Sequence, residues 1–262
     1  MSQAEATAAL ASIDASRIES VQRIKHGLTN ESWLIRTVAG SYVVRLSNTS
    51  EESLQINRAS EARILEAVAA AGIGPEVVRC DPSAHLLITR YAGKTWEPAQ
   101  AFEPQNIDRI ADLLWRLHSL RPPDDIHVVD LHSVVRGYLR TLDERGAAVT
   151  AGTKELRERA LQIAATLQSD ANTSLCHNDV HALNILDGGT LRLIDWEYAG
   201  LGQRLFDLAS ICVYHAYRRE QRERLLRRYA VRYEDDLWNR LELCCWLFDY
   251  VRDLWTAVRE LQ

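Results

Sequence analysis

Cysteine is scarce in this sequence, and its spacing argues against both a disulfide framework and a zinc site. The 262 residues include Cys80, Cys176, Cys212, Cys244 and Cys245, and no two of them form a C-x-x-C motif. Five is an odd number, and the adjacent Cys244 and Cys245 would point to different sides of a helix. We therefore expect free thiols in a reducing compartment, which favours a cytoplasmic location.

Long apolar runs and an excess of positive charge are missing as well. No stretch of about 18 apolar residues could span a bilayer, and the N-terminus lacks a basic segment followed by an apolar one. With 31 Lys and Arg against 36 Asp and Glu, the net charge is −5, which favours a cationic over an acidic substrate. We expect neither a membrane nor a nucleic acid as a partner, and no pattern indicates an oligomeric state.

The apolar residues that are present suffice for a packed core, and they follow different patterns in two parts of the chain. Hydrophobic residues make up 47% of the sequence. Residues 1–92 contain a predicted helix over 51–71 and five predicted strands, at 18–24, 32–38, 41–46, 76–79 and 85–91. Residues 93–262 are mainly helical, with predicted helices at 106–120, 131–143, 153–167 and within 206–262. We predict an α+β fold of two lobes divided near residue 92.

A polar segment and a short hairpin interrupt the helical pattern between residues 174 and 194. Asp179 and Asn184 lie five residues apart in this segment, and Asp195 follows the hairpin. Phosphoryl transfer requires a residue that takes or orients the proton of a hydroxyl, and Mg²⁺ to neutralise the phosphates. Mg²⁺ prefers oxygen ligands, which a carboxylate and a carboxamide supply. These three residues therefore fit the base and the metal ligands of a kinase.

The order of these residues resembles a known family. H-x-D-x-x-x-x-N at 177–184, followed by an apolar strand and I-D-W-E-Y at 194–198, is similar to the choline kinase and aminoglycoside phosphotransferase superfamily, whose fold is protein-kinase-like. The resemblance covers nearly the whole chain and includes bacterial choline, ethanolamine and thiamine kinases. It implies ATP as the phosphate donor and these roles: catalytic base for Asp179, brace for His177, Mg²⁺ ligands for Asn184 and Asp195, metal or acceptor contact for Glu197, and support behind the loop for Asp207.

The same resemblance implies a nucleotide site in the N-terminal part. The strand residue expected to hold the phosphates is Arg45, whose guanidinium can bind phosphate through two hydrogen bonds, and Glu61 would orient it. Residues 27–32 lie where the phosphate-covering loop belongs, without the G-x-G-x-x-G of protein kinases. Further predicted nucleotide contacts are Thr29, Asn30 and Ser32 in that loop. Arg90 and Tyr91 belong to a predicted hinge between the lobes, whose backbone would hydrogen-bond to adenine.

Aromatic and acidic residues recur with helical spacing near the C-terminus. Trp246, Asp249 and Tyr250 would share one face of a helix. Rings beside carboxylates suit a cationic acceptor, although large rings more often pack in a core. We predict that this face, together with Trp196 and Glu197, forms the acceptor site.

Alternatives to this interpretation differ in what the protein would bind or turn over. Asp179, Asn184 or Asp195 alone could simply occupy a turn or cap a segment, but their joint order favours a kinase. The predicted acceptor is choline, ethanolamine or thiamine. An aminoglycoside is the alternative acceptor and would need carboxylates spread along the cleft. A nucleotide-binding module without catalysis is the alternative from another class, and it would bind ATP without turnover.

Overall fold

An antiparallel sheet forms the N-terminal part of the molecule. The computed structural model describes residues 2–24, 30–47, 54, 56–168, 173–230 and 235–261. The sheet contains β1 (Ile18–Ile24), β2 (Asn30–Thr37), β3 (Gly40–Ser47), β4 (Val77–Asp81) and β5 (Leu86–Arg90). Their spatial order is β1-β2-β3-β5-β4, and all neighbouring pairs are antiparallel. The five predicted strands are therefore confirmed, with bounds shifted by one or two residues.

Alternation along β3 gives the sheet two different faces. Tyr42 and Val44 are buried in a cluster with α1 (Gln3–Ala11). Successive side chains of a strand point to opposite faces, so Arg45 lies on the other face. That face is turned toward α2 (Arg58–Ala70), where Arg45 contacts Glu61.

The helix predicted over 51–71 is shorter than expected in the described residues. It begins at Arg58, because the side chain of Asn57 accepts a hydrogen bond from the backbone nitrogen of Ser60 at 2.9 Å and so caps the first turn. Residues 51–53 and 55 lie outside the described part of the chain. The buried face of α2 includes Glu61 and Ile64, so a carboxylate from this helix points into the molecule.

Helices make up most of the C-terminal part. Those of the described residues are α3 (Pro104–His118), α4 (Leu131–Glu144), α5 (Lys154–Gln168), α6 (Arg204–Tyr214), α7 (Arg219–Tyr229) and α8 (Asp235–Glu260). The predicted apolar stripe of α3 is confirmed, since Ile110, Leu114 and Leu117 are fully buried. None of these helices has the length and apolar character that crossing a bilayer requires, within the ranges that the structure describes.

Short strands bring two polar loops side by side. β6 (Lys94–Thr95), β8 (Ile185–Asp187) and β9 (Leu191–Leu193) form one small sheet, and its β8–β9 part is the predicted hairpin. β7 (Thr173–Cys176) pairs with β10 (Gly200–Gln203), a pair that was not predicted. As a result, the loop after β7 and the loop after β9 lie next to each other. The division into lobes near residue 92 stays a prediction.

Candidate active site

Asp179 lies in the loop after β7, and two side chains hold its carboxylate. The carboxamide nitrogen of Asn184 donates to Asp179 Oδ2 at 3.1 Å and to the Asp179 carbonyl oxygen at 3.0 Å. The phenol hydroxyl of Tyr214 donates to Asp179 Oδ1 at 2.8 Å. The structure thus brings together the two residues, Asp179 and Asn184, whose five-residue spacing predicted a shared pocket.

The surroundings of Asp179 favour its charged form. Burial by itself would raise the pKa of this carboxyl, but the neighbouring imidazole of His181, with a smaller effect of the Tyr214 hydroxyl, lowers the pKa below its usual value. His181 Nε2 lies 3.6 Å from Asp179 Oδ2. An ionised carboxylate in this position can accept a proton, as a general base must.

His177 is fully buried, and its ring connects the loop after β7 to the loop after β9. Its Nε2 lies 2.9 Å from the carbonyl oxygen of Ile194, and the backbone nitrogen of Asp179 donates to its Nδ1 at 3.2 Å. Burial lowers the pKa of His177, so the ring is neutral and carries its proton on Nε2. This geometry suits a brace between the two loops.

Asp207 on α6 fixes the same loop from the other side. Its Oδ2 accepts from the backbone nitrogen of His177 at 2.8 Å, and its Oδ1 accepts from that of Asn178 at 2.6 Å. His118 Nε2 lies 3.0 Å from Oδ2, so several partners surround a carboxylate with no exposed surface. These bonds hold Asn178 with a φ of 65°, in a turn that presents the next residue, Asp179, to the cavity.

Asp195 follows β9 and stands beside Asn184. The backbone nitrogen of Ile194 donates to the Asn184 carbonyl oxygen at 3.0 Å, and Asp195 itself has a φ of 66°. Burial and repulsion from Glu197 raise the pKa of Asp195 to about 7, which marks a place where added positive charge is favourable. The amide nitrogen of Asn184 faces Asp179, which leaves its amide oxygen for other partners. A carboxylate and an amide oxygen fit the preference of Mg²⁺ for oxygen ligands.

Alternating charges connect α2 to this site. Glu61 lies 2.6 Å from Arg45 and 2.7 Å from Arg58, and all three side chains are nearly buried. Arg45 continues to Asp195 at 3.1 Å, and Arg58 continues to Glu197 at 3.2 Å. Burial would raise the pKa of Glu61, but Arg45 and Arg58 lower it. The network therefore keeps the Arg45 guanidinium charged and aimed at Asp195.

Of the three nucleotide contacts predicted in the phosphate-covering loop, two lie among the described residues, and both are close to this network. Asn30 is close to the site, because its amide nitrogen donates to Glu197 at 2.9 Å. Ser32 lies on β2, directly opposite Arg45 in the strand pairing. Thr29 lies outside the described residues.

The side chain of Arg90 does not turn toward Arg45. The Arg90 guanidinium donates to the Tyr42 hydroxyl at 2.9 Å and lies over the Tyr42 ring, on the sheet face opposite Arg45. The backbone nitrogen of Tyr91 donates to the carbonyl oxygen of Ser41 at 2.9 Å. The Arg90 side chain therefore points away from Arg45, because side chains alternate along the strand. Backbone contacts of Arg90 and Tyr91 with adenine stay a prediction.

A cavity of about 750 Å³ opens beside Asp179. Its polar end contains Asp179, Asn184, Asp195 and Glu197. Aromatic and aliphatic side chains form most of the remaining wall, including Tyr138, Tyr198, Phe206, Tyr214, Phe248, Val251 and Trp255. A mostly apolar pocket with a few converging polar groups is the usual form of a small-molecule site.

The face of α8 that lines this cavity differs from the predicted one. Phe248, Val251, Arg252 and Trp255 line it, whereas Trp246, Asp249 and Tyr250 do not. Trp246 stacks on Tyr250, with Arg159 of α5 over the Trp246 ring, and the Tyr250 hydroxyl donates to the Ala151 carbonyl oxygen at 2.9 Å. The residues that line the cavity lie two positions after the predicted ones, which corresponds to a rotation of about 200° around the helix, so the predicted face was wrong.

Trp196 also lies away from the cavity. It is fully buried, its indole nitrogen donates to the Leu193 carbonyl oxygen at 3.0 Å, and its ring packs against His177. The neighbouring Asp195 and Glu197 do line the cavity. The prediction of Trp196 as an acceptor contact is therefore corrected: the turn at Asp195 sends the indole into the core.

Several cavity residues were not predicted from the sequence. Tyr214 contacts Asp179, and Phe248 packs against Phe206 and Tyr214 with ring centroids 5.0 and 5.5 Å apart. Tyr214 could have been found, because it lies seven residues after Asp207 and so on the same face of α6. Trp255 donates to the Tyr198 hydroxyl at 2.7 Å, a contact between distant segments that has no local signal.

An antiparallel sheet with an Arg–Glu pair, a helical C-terminal part and a converging Asp–Asn–Asp set together define a class, the kinase-like phosphotransferases. Comparison with known proteins agrees with this class. The sequence profile of the Phosphotransferase enzyme family matches residues 20–244, and the chain belongs to this family.

Solved structures and sequence relatives support the same assignment. The choline kinase LicA from Streptococcus pneumoniae aligns over 99% of this chain and 92% of that chain, with a TM-score of 0.84 and 21% identity. A choline/ethanolamine kinase family protein from Mesorhizobium loti aligns over 97% and 85%, with a TM-score of 0.82 and 27% identity. These structures confirm the predicted kinase-like fold.

Among sequences, the protein LicA of Haemophilus influenzae is 29% identical over 209 residues, which are 78% of this chain and 61% of that protein. The match thus spans less than two thirds of that relative's length. Its identity level and the family match confirm the predicted resemblance to choline kinases and their relatives.

Proposed function

We propose that this protein is an ATP- and Mg²⁺-dependent phosphotransferase that phosphorylates the hydroxyl group of a small, cationic molecule. One observation carries the proposal: Asp179, Asn184 and Asp195 converge at the polar end of one cavity, next to an arginine that is held by two carboxylates. A base, two oxygen ligands and a fixed cation are the parts that phosphoryl transfer requires.

In the proposed reaction, the acceptor hydroxyl loses its proton to Asp179 while its oxygen bonds to the γ-phosphorus of ATP. The bond between that phosphorus and the oxygen bridging to the β-phosphate breaks, and its electron pair leaves with ADP. Asn184 keeps the Asp179 carboxylate in place through its bond to Oδ2. Positioning and charge stabilisation supply most of the rate enhancement in such reactions.

The nucleotide side of the site depends on Arg45, Asn184 and Asp195. Mg²⁺ bound by Asn184 and Asp195 would neutralise charge on the phosphates. Arg45 would donate guanidinium N–H groups to the same phosphates, while Glu61 holds another nitrogen of the guanidinium at 2.6 Å. A cation that is already oriented loses little conformational freedom when it binds phosphate.

The walls of the cavity support a choline, ethanolamine or thiamine type of acceptor. Aromatic faces at Tyr138, Tyr198, Tyr214, Phe248 and Trp255 can attract an organic cation through cation–π interactions. The carboxylates that line the described part of the cavity are Asp130, Asp179, Asp195 and Glu197. Asp130 caps α4 and the other three surround the reaction centre, so few remain for the several amines of an aminoglycoside.

A direct test measures ADP release by the purified protein with Mg-ATP. Choline, ethanolamine, thiamine, simple sugars and aminoglycosides are supplied one at a time, and Asp179→Asn serves as the inactive control. We expect release that depends on one of the cationic alcohols and disappears in Asp179→Asn while the circular dichroism spectrum is unchanged. Nucleotide binding without turnover for any alcohol would instead support a binding module.

A further inference from the structure

Tyr214, which was not predicted from the sequence, contacts the proposed base Asp179 directly. It is the last residue of α6, and its hydroxyl donates to Asp179 Oδ1 at 2.8 Å. Its ring packs against His181 and Phe248, with centroids 4.7 and 5.5 Å away. Neighbours on two sides therefore limit the movement of the phenol that holds the carboxylate.

Helix α6 also fixes the backbone on both sides of Asp179. Asp207 accepts from the backbone nitrogens of residues 177 and 178, and the Ser210 hydroxyl donates to the carbonyl oxygen of Val180 at 3.0 Å. Asp207, Ser210 and Tyr214 are spaced three and four residues apart, so they share one face of the helix. Tyr214 thus belongs to a row of side chains that hold the catalytic loop, and it is the member that reaches the carboxylate.

The two carboxylate oxygens of Asp179 are held from different segments. Asn184 donates to Oδ2 and Tyr214 donates to Oδ1. Rotation about the last bond of an aspartate is soft and roughly two-fold, so a single donor fixes it poorly. A carboxylate oxygen has two lone pairs, so Oδ1, which accepts from Tyr214, can still accept a further hydrogen bond, including one from an acceptor hydroxyl.

We propose that Tyr214 is a positioning residue for phosphoryl transfer, which holds the Asp179 carboxylate in the orientation that receives the acceptor proton. This inference rests on the proposed function of the site. Tyr214 acts through Asp179 and leaves the nucleotide contacts of Arg45, Asn184 and Asp195 untouched. Its loss should therefore change the rate of transfer and leave the affinity for ATP as it was.

The test is Tyr214→Phe, which removes the hydroxyl and keeps the ring against His181 and Phe248. With choline, ethanolamine or thiamine, whichever is turned over, we expect kcat to fall about tenfold to a hundredfold, the range for a misplaced catalytic group. The KM for ATP should stay within about twofold of the wild-type value, because the phosphate side is intact. A general loss of structure would instead change both constants.

Tyr217→Phe is the matched control. Tyr217 is buried three residues further along, and its hydroxyl donates to the carbonyl oxygen of Ala101, away from the cavity. The same atom is removed, and kcat and KM should both remain within about twofold of wild type. If Tyr217→Phe lowers kcat as much as Tyr214→Phe, or if Tyr214→Phe keeps wild-type kcat, the proposal is overturned.

Crystal structures of the wild type and Tyr214→Phe decide the positioning claim without turnover. We expect one Asp179 orientation in the wild type and a rotated or doubled carboxylate in the variant. An unchanged single orientation in the variant overturns the proposal. If the wild type phosphorylates no alcohol, the proposed function fails, and these two structures still decide whether Tyr214 orients Asp179.

Discussion

Glu61→Gln tests whether the charge network supports the fold as well as the site. Glu61 is 3% exposed and lies between Arg45 and Arg58, whose side chains are 12% and 6% exposed. The substitution keeps the size of the side chain and removes the negative charge. Arg45 retains Asp195 at 3.1 Å, and Arg58 retains Glu197 at 3.2 Å.

The expected loss of stability follows from this geometry. Removing one partner of a buried ion pair costs about 3–5 kcal/mol, because the remaining charge stays buried. The glutamine carbonyl oxygen can still accept one hydrogen bond and both arginines keep a second carboxylate, which places the loss near the lower end, at about 3 kcal/mol. For a chain of this size that corresponds to a fall of roughly 6–12 °C in Tm.

Calorimetry of the wild type, Glu61→Gln and Glu66→Gln provides the measurement. Glu66 is exposed on the same helix, so its substitution should shift Tm by about 2 °C or less, as is usual for surface positions. We also expect weaker Mg-ATP binding in Glu61→Gln, because Arg45 loses the partner that orients it. Equal Tm values for the two variants would refute the claim that the network is a buried, mutually dependent set.

Three further predictions concern the metal, the acceptor wall and acid stability. Asp195→Ala should abolish Mg²⁺-dependent ATP binding, and calorimetric titration with and without a chelator checks this. Phe248→Leu should raise the KM for the acceptor about threefold to tenfold, roughly 1 kcal/mol of lost ring contact, with an unchanged KM for ATP in steady-state assays. Arg109 and two other groups lower the pKa of Asp187 to about 2, so this carboxylate stabilises the fold above pH 4 and loses that effect as the pH falls toward 2. Asp187→Asn should therefore lower the urea midpoint at pH 7 and approach the wild-type value only below pH 2.

The loop that carries Asp179 and Asn184 was predictable because the residues that define it are close together in sequence. Asp179 and Asn184 lie in one short loop, and their five-residue spacing already limits how far apart their side chains can lie. Asp195 follows the short apolar strand β9, whose hairpin partner β8 comes directly before it in sequence. Arg45 and Glu61 needed the resemblance to other kinases, since sequence alone does not say which helix faces which strand.

The acceptor wall could not be predicted in the same way, because the rotation of a helix depends on what it packs against. Two stripes of α8 carry aromatic and charged residues, one with Trp246 and Tyr250 and one with Phe248 and Trp255. Contact with Phe206 on α6 turns the second stripe toward the cavity. Trp196 shows a related difficulty. Its sequence neighbours Asp195 and Glu197 line the cavity, whereas its own side chain points into the core.

Transfer of labelled phosphate from γ-labelled ATP to an alcohol tests the central claim most directly. With Mg²⁺ and a cationic alcohol, the wild type should form a labelled phosphate ester, and Asp179→Asn should form none under the same conditions. Label that appears only as inorganic phosphate, or ester formation by Asp179→Asn at the wild-type rate, would contradict the assignment of Asp179, Asn184 and Asp195 as the centre of a phosphotransferase.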